Sequence, residues 1–160
     1  MHSESGRSEG EPSPQSTGRQ AAMALLASAD ASQLQSLAAS LSPLPDAEDL
    51  RRPETGLVMV RGRIGGGGAP FNLGEATVTR ASIRLSTGEI GHAYALGTDR
   101  PKARLAAIID ALWQREDQRE AIERKVLAPL ARRKAERDAE RRGETAATRV
   151  NFFTMVRGDD

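Results

Sequence analysis

The 160-residue chain contains no cysteine and is poor in histidine and aromatic residues. Without thiolates it forms no disulfide, and it supplies no cysteine nucleophile and no sulfur ligand to zinc or to an iron–sulfur cluster. Only 3% of the residues are aromatic, so a core must be built mainly from Ala, Leu, Ile and Val. The 23 basic and 22 acidic residues give a formal net charge of +1, which provides no overall attraction to nucleic acid or to an anionic membrane.

Long apolar runs are also missing, since no stretch approaches the roughly 18 apolar residues that a membrane-spanning helix needs. The apolar run over residues 21–27 ends in an Ala-Ser-Ala string typical of signal-peptide cleavage sites. However, Glu4, Glu9 and Glu11 stand where a signal peptide carries a basic region. We therefore expect a cytoplasmic protein that binds neither membrane nor nucleic acid.

Composition divides the chain into a tail and one domain. Residues 1–18 are mostly Ser, Gly, Glu and Pro, which bury too little apolar surface to offset the entropy of ordering, and we interpret them as a disordered tail. Residues 19–160 are expected to form a single domain. Within it, residues 19–29 and 31–41 have apolar side chains at helical spacing and predict a helical hairpin, with Asp30 or Ser32 capping the second helix.

Residues 47–97 change to a period of two, which predicts β-strands. Strict alternation over residues 55–64 places Leu57, Met59, Arg61 and Arg63 on one face. Residues 71–85 predict a second long strand, and Ser86-Thr87-Gly88 is a hairpin signal that leads into a strand over residues 89–97. We expect a small antiparallel sheet of three to five strands.

The remainder predicts helices followed by an apolar end. Asp99 precedes Arg100-Pro101, which is typical of a helix start, and Pro129 is expected to interrupt the next helical pattern. Residues 131–142 contain only three alanines among charged residues, which is a poor face for burial in a monomer. The predicted fold class is α+β, with an N-terminal helical hairpin, a small antiparallel sheet, C-terminal helices and an apolar terminal segment.

The terminal segment carries two of the three phenylalanines of the chain. Exposed apolar groups of this kind mark interaction sites, so four residues are candidates for docking to a partner: Phe152, Phe153, Met155 and Val156. The alternative is that the segment folds back as an edge strand of its own sheet.

Arginines and a glycine run offer candidate anion sites. Arg63, Arg80 and Arg84 fall on predicted strands, and guanidinium groups match phosphates and carboxylates in a bidentate manner. Gly65 and Gly66 begin a run of four glycines whose backbone N–H groups could hold an anion, although the Lys-Ser/Thr of a phosphate loop is missing. A solvated outer face and a flexible strand connection explain the same residues without a ligand.

No catalytic constellation or metal site is predicted. His92 is the one histidine outside the tail, it has no second histidine to form a metal pair, and no Ser-His-Asp order is present. Mixed charges over residues 115–125 are typical of ion pairs on a solvated helix. The basic residues between 132 and 142 are diluted by acidic ones and lack interleaved aromatics, so they do not predict a nucleic-acid site.

Several strings of the sequence resemble one known family. They are ETGLV at residues 54–58, GEATVTR at 74–80 and RVNFFTMVRGD at 149–159. They are similar to the G subunit of the bacterial carbon–phosphorus lyase system, the PhnG family, over about residues 20–159. The first 18 residues, His92 and the glycine-enriched loop depart from the pattern of that family.

The resemblance implies an accessory role in phosphonate catabolism. Members of this family act with the H and I subunits and an ATP-binding component to displace adenine from ATP by a phosphonate, which gives a ribose 1-phosphonate 5-triphosphate. The G, H, I and J subunits form a core complex, in which the I subunit carries the nucleosidase-like chemistry. The resemblance implies no cofactor bound by this chain, with ATP and Mg as substrate of the whole complex, and no catalytic residue that can be transferred to it.

Overall fold

A computed structural model describes residues 14–63 and 67–147, which form an α+β fold as expected. In chain order the elements are α1 (Pro14–Ser28), α2 (Ala31–Ala39), β1 (Ala47–Arg63), β2 (Pro70–Leu85), β3 (Ile90–Leu96), α3 (Arg100–Trp113), α4 (Glu116–Ile122), a π-helical turn (Glu123–Leu127) and α5 (Ala128–Ala147). None of the helices in these two ranges has the length and apolar character to cross a membrane.

The predicted helical hairpin is present. Helix α1 begins at Pro14, earlier than predicted, and it buries Ala22 and Leu26, while α2 buries Leu34. Asp30 occupies the N-cap position of α2, but its carboxylate accepts a hydrogen bond from Arg137 instead of capping the helix. The division into a tail and a domain at residue 18 stays a prediction.

The three strands of the described ranges form one antiparallel sheet in the order β1-β2-β3. The turn predicted at residues 86–88 joins β2 to β3, with Gly88 N donating to Leu85 O at 2.9 Å. Strand β3 pairs only with residues 78–84 of β2, whereas β1 pairs with β2 along its whole length. Residues 57–63 and 70–77 therefore form a two-stranded ribbon, which extends about 26 Å beyond the end of β3.

Helix α3 covers one face of the sheet, where Ala81, Ile83 and Leu85 of β2 are buried. The approach between α3 and β3 is unusually close, because a Cβ atom on Gly91 would lie 1.9 Å from the Ala107 carbonyl oxygen. Asp99 caps α3 as predicted, and its side chain accepts a hydrogen bond from Lys102 N at 2.8 Å.

A buried carboxylate joins α1, α3 and β3. Asp110 is fully buried and accepts two hydrogen bonds from Arg19, from Nε at 2.9 Å and from a terminal nitrogen at 2.7 Å. It also accepts the backbone N–H of His92 at 2.8 Å. The hydrogen bonds between Arg19 and Asp110, with the charge of Asp110, raise the pKa of Arg19 above its ordinary value. The pair therefore fixes the N-terminal hairpin to the sheet.

The prediction that Pro129 interrupts the C-terminal helix is wrong, because α4, the π-helical turn and α5 follow one another without a break. Proline cannot donate the usual helical hydrogen bond, and the wider turn just before it, in which Ala128 N bonds to Glu123 O, changes the register there. Beyond Leu130, α5 is mostly exposed, including all three alanines of its predicted weak face, so the expected poor burial is confirmed: Ala131, Ala135 and Ala139.

Candidate functional site

The helix-covered face of the sheet continues into the ribbon, where no described helix covers it. On β1, Leu57 and Met59 lie opposite Thr77 and Glu75 and stay on that face. Phe71 and Leu73 lie on the other, outer face, because Leu73 is an extra residue in the register of β2. Four large apolar side chains of the ribbon are therefore exposed, by 64%, 53%, 40% and 62% respectively: Leu57, Met59, Phe71 and Leu73. We call these four residues the apolar patch.

A β-bulge lies opposite Val60 and Arg61, where Leu73 is an extra residue between Gly74 and Asn72 of β2. No residue is skipped on β1, so its alternation continues and Arg61 and Arg63 share a face with Leu57 and Met59, as predicted. Gly62 lies on the outer face with Phe71 and Leu73, and a Cβ atom on it would lie 2.6 Å from Leu73 Cδ1. The bulge therefore divides the apolar patch between the two faces of the ribbon.

The structure places Arg80 and Arg84 on the outer face and Arg63 on the opposite one, and it does not bring the three together. Arg63 lies opposite Pro70, ten residues along β2 from Arg80, which corresponds to about 33 Å. Arg80 and Arg84 are four residues apart, or about 13 Å. The three side chains therefore cannot hold one small anion, and Gly65 lies outside the described residues, as does its neighbour Gly66.

The arginines also differ in whether an acidic partner is present. Arg80 Nε donates to Glu54 at 2.7 Å, and Arg51 donates to the same oxygen at 2.6 Å. These hydrogen bonds, that from Arg51 first, lower the pKa of Glu54 below its ordinary value. Arg84 lies 3.9 Å from Glu48. Arg63 is exposed, and among the described residues it forms no ion pair, so its guanidinium remains available.

A large cleft among the described residues does not favour an anion either. It has a volume of about 640 Å³ and contains Arg84 and Arg104. Arg104 is already bonded to Asp49 at 2.7 Å and to Ala47 O at 2.9 Å, and Glu48 also lines the cleft. The positive charges are therefore matched by carboxylates within the fold.

Polar groups within residues 14–63 and 67–147 are otherwise used internally. Every buried side-chain nitrogen or oxygen there has a hydrogen-bond partner, and no group of three potential metal-ligating side chains comes together. His92 Nδ1 lies 2.9 Å from Ser82 Oγ on the outer face. The described surface therefore offers the apolar patch, and not a polar pocket, as its main candidate site.

The apolar patch was not predicted from the sequence, although the lengths of the predicted strands contained a signal for it. Residues 70–85 predict a strand about twice as long as residues 90–96, so part of the longer strand had to lack a neighbour on that side. Apolar Phe71 and Leu73 fall in that unpaired part. The docking candidates Phe152, Phe153, Met155 and Val156 lie outside the described residues.

Fold and surface define the class: a small α+β protein that extends a ribbon whose exposed apolar residues no described part of the chain covers. The chain belongs to the family described as phosphonate metabolism protein PhnG, whose sequence profile matches residues 17–158. It is 56% identical over 142 residues to the alpha-D-ribose 1-methylphosphonate 5-triphosphate synthase subunit PhnG of Rhizobium meliloti (strain 1021), covering 89% of this chain and 90% of that relative.

Proposed function

We propose that the chain is an accessory subunit of an alpha-D-ribose 1-methylphosphonate 5-triphosphate synthase. In this role it works within the carbon–phosphorus lyase core with the H, I and J subunits, with ATP-binding components associated. The complex transfers the ribose triphosphate of ATP to a phosphonate and releases adenine, with ATP and Mg as its substrate. Support comes from the named relative, which is similar along nearly its full length.

The apolar patch is the observation that carries an accessory, partner-binding role. Burial of one large apolar side chain contributes about 1.5–3 kcal/mol, so four half-exposed side chains forgo roughly 3–6 kcal/mol when left in water. An isolated two-stranded ribbon is marginal in water. A surface of this kind is expected where another subunit supplies the missing cover.

We take the I subunit as the partner that covers the patch, and a matched pair of variants tests this. Leu73→Glu places a charge in the patch, whereas Leu96→Glu changes a leucine of β3, outside the ribbon, that is 75% exposed. Coexpression with the I subunit should lose copurification for Leu73→Glu and retain it for Leu96→Glu, with both chains folded by circular dichroism. Equal copurification of the two variants would contradict the docking role, and strict copurification of the unaltered chain argues against a stand-alone anion-binding module.

Contact with substrate is a separate question, because a pure scaffold would bind the I subunit equally well. Arg63 is the favoured residue for a triphosphate or phosphonate, since Arg80 and Arg84 have carboxylates beside them. Alanine replacement of each, assayed as adenine release by the reconstituted complex, should raise KM for Arg63→Ala alone. Unchanged turnover and KM for all three variants would leave the scaffold role, and activity of the I subunit without this chain would support it.

The terminal residues Phe152, Phe153, Met155 and Val156 are proposed to contribute to the same docking surface. Gly65 and Gly66, next to Arg63 in the chain, stay candidates for backbone contact with an anion. Coexpression of a chain that ends at Arg149 tests the terminal segment, because loss of the I subunit is expected only if that segment supports docking.

A further inference from the structure

Each of the two faces of the ribbon carries exposed apolar side chains. Leu57 and Met59 lie on the helix-side face, the one that continues the helix-covered side of the sheet. On the outer face, Val60 is 39% exposed and shares that side of the ribbon with Phe71 and Leu73. A partner that lies flat on the ribbon covers the side chains of one face and leaves those of the other in water.

The apolar side chains of the outer face form a continuous surface. A Cβ atom on Gly62 would lie 2.6 Å from Leu73 Cδ1 and 3.6 Å from Phe71 Cζ. Both side chains therefore lie over Gly62, whose missing side chain leaves them room. Single exposed apolar residues are normal on a protein surface, whereas a cluster of this kind marks a site of interaction.

The bulge at Leu73 produces this two-sided distribution. Without an extra residue in β2, the alternation that buries Ile83 and Ala81 would place Phe71 and Leu73 on the helix-side face. The bulge turns the two side chains to the outer face. Bulges commonly re-aim side chains in this way and are treated as designed features of a fold. A specific local feature therefore directs the apolar residues of the ribbon to both of its sides.

The shape of the ribbon suits a cleft. It is one layer thick and two strands wide, and no described helix covers it on either side. Packed layers of secondary structure lie about 10 Å apart, so a cleft with walls about 20 Å apart would enclose the ribbon. Such a cleft covers both faces at once.

Arg61 determines the charge that one wall of this cleft has to carry. It is exposed on the helix-side face, two residues beyond Met59, and it forms no ion pair with any residue that the structure describes. A wall that covers Met59 also covers Arg61, and a buried charge without a partner is strongly destabilising. The wall on that side therefore has to present a carboxylate to Arg61.

We propose that the ribbon inserts into a cleft of the I subunit, with an apolar wall on each side and at least one carboxylate that faces Arg61. Leu57 and Met59 pack against one wall, and Phe71 and Leu73 pack against the other. This inference rests on the proposed function, because it specifies how the I subunit covers the apolar patch.

Single cysteines test the insertion, because the chain contains no cysteine of its own. Met59 and Val60 are neighbours on β1 and face opposite sides, so Met59→Cys and Val60→Cys report the two faces at the same depth. Maleimide labelling of each variant is followed by mass spectrometry, alone and in complex with the I subunit. Leu96→Cys, in β3 and outside the ribbon, is the matched control.

Formation of the complex should slow the labelling of both ribbon thiols by on the order of tenfold or more, because the core of an interface packs as densely as a protein interior. The thiol at position 96 should keep its rate. Slower labelling at only one ribbon position would show that the I subunit lies flat on one face, which overturns the insertion and leaves the docking role intact. Unchanged rates at both positions in a complex that still forms would overturn docking at the patch as well.

Labelling of the chain alone separates other occupants of the ribbon. Both ribbon thiols should then react readily, as the thiol at position 96 does. Slow labelling of either one before the I subunit is added overturns the inference by assigning the cover to a second copy or to another part of this chain. Failure of the unaltered chain to form a complex with the I subunit would overturn the proposed function together with this inference.

Affinity measurements keep the test valid if a cysteine variant does not bind. Leu57→Ala and Phe71→Ala remove one side chain from each face, and each should raise Kd for the I subunit by about tenfold. Arg61→Ala should raise Kd by about tenfold or more, whereas Arg52→Ala, which removes an exposed arginine from the base of β1, should leave it within about threefold. A Kd that responds to only one of the two apolar replacements, or equally to the two arginine replacements, overturns the proposal.

Discussion

Replacement of Arg19 by leucine isolates the electrostatic contribution of the buried pair. Asp110 is fully buried, and in Arg19→Leu its charge would keep only the His92 N–H among its three donor contacts. Removal of one partner of a buried ion pair costs about 3–5 kcal/mol, because the remaining charge stays desolvated. In an Asp110→Asn background no charge is stranded, so the same replacement should cost only about 1 kcal/mol, as for an ordinary hydrogen bond.

Urea unfolding of the four chains, followed by circular dichroism, measures the coupling between the two positions. The difference between the two costs predicts a coupling energy of about 2–4 kcal/mol. A common slope of unfolding free energy against urea would confirm that the denatured states are comparable. Additive effects, or a loss below about 1 kcal/mol for Arg19→Leu alone, would refute the view that this pair fixes α1 to the sheet.

Three further replacements test local features. Gly91→Ala should lower the free energy of unfolding by about 3 kcal/mol, because its Cβ atom would meet the Ala107 carbonyl oxygen. Gly143→Ala has open space around the added Cβ atom and should raise the free energy of unfolding by about 0.5–1 kcal/mol. Thermal unfolding measures both changes, and a Gly91→Ala chain as stable as the parent would contradict the close approach. Hydrogen bonding, chiefly from Arg115, lowers the pKa of Asp117 from 3.8 to about 2, so the stabilising contact is present above pH 3.8 and is lost as the pH falls through about 2. Arg115→Ala should return that pKa toward its ordinary value in an NMR titration, and an unchanged titration would show that the ion pair does not form in solution.

Local signals predicted the elements whose geometry depends on neighbours in sequence. The cap at Asp99 and the hairpin at residues 86–88 involve bonds that close within four residues. The bulge at Leu73 could not be predicted in the same way, because it depends on how β2 aligns with β1 across the glycine run. The π-helical turn before Pro129 likewise requires knowledge of what the helix packs against.

The candidate site shows the same division between local and non-local information. The sequence alone shows that Arg63, Arg80 and Arg84 are cations. Their separation along the sheet and the carboxylates beside two of them depend on strand pairing. Exposure of Leu57 and Met59 depends on where the helices end relative to the ribbon. These relations are set by tertiary packing, which periodicity does not report.

We propose the apolar patch as a docking surface for another subunit of the synthase, and the affinity of the chain for the I subunit tests this most directly. Leu57→Ala and Leu73→Ala together remove two patch side chains, each worth about 1.5 kcal/mol or more on full burial, whereas Leu96→Ala removes an equally large side chain from β3, outside the ribbon. The double replacement should raise Kd at least about 100-fold, and Leu96→Ala should leave it within about threefold. Equal affinities for the double replacement and the unaltered chain would contradict it.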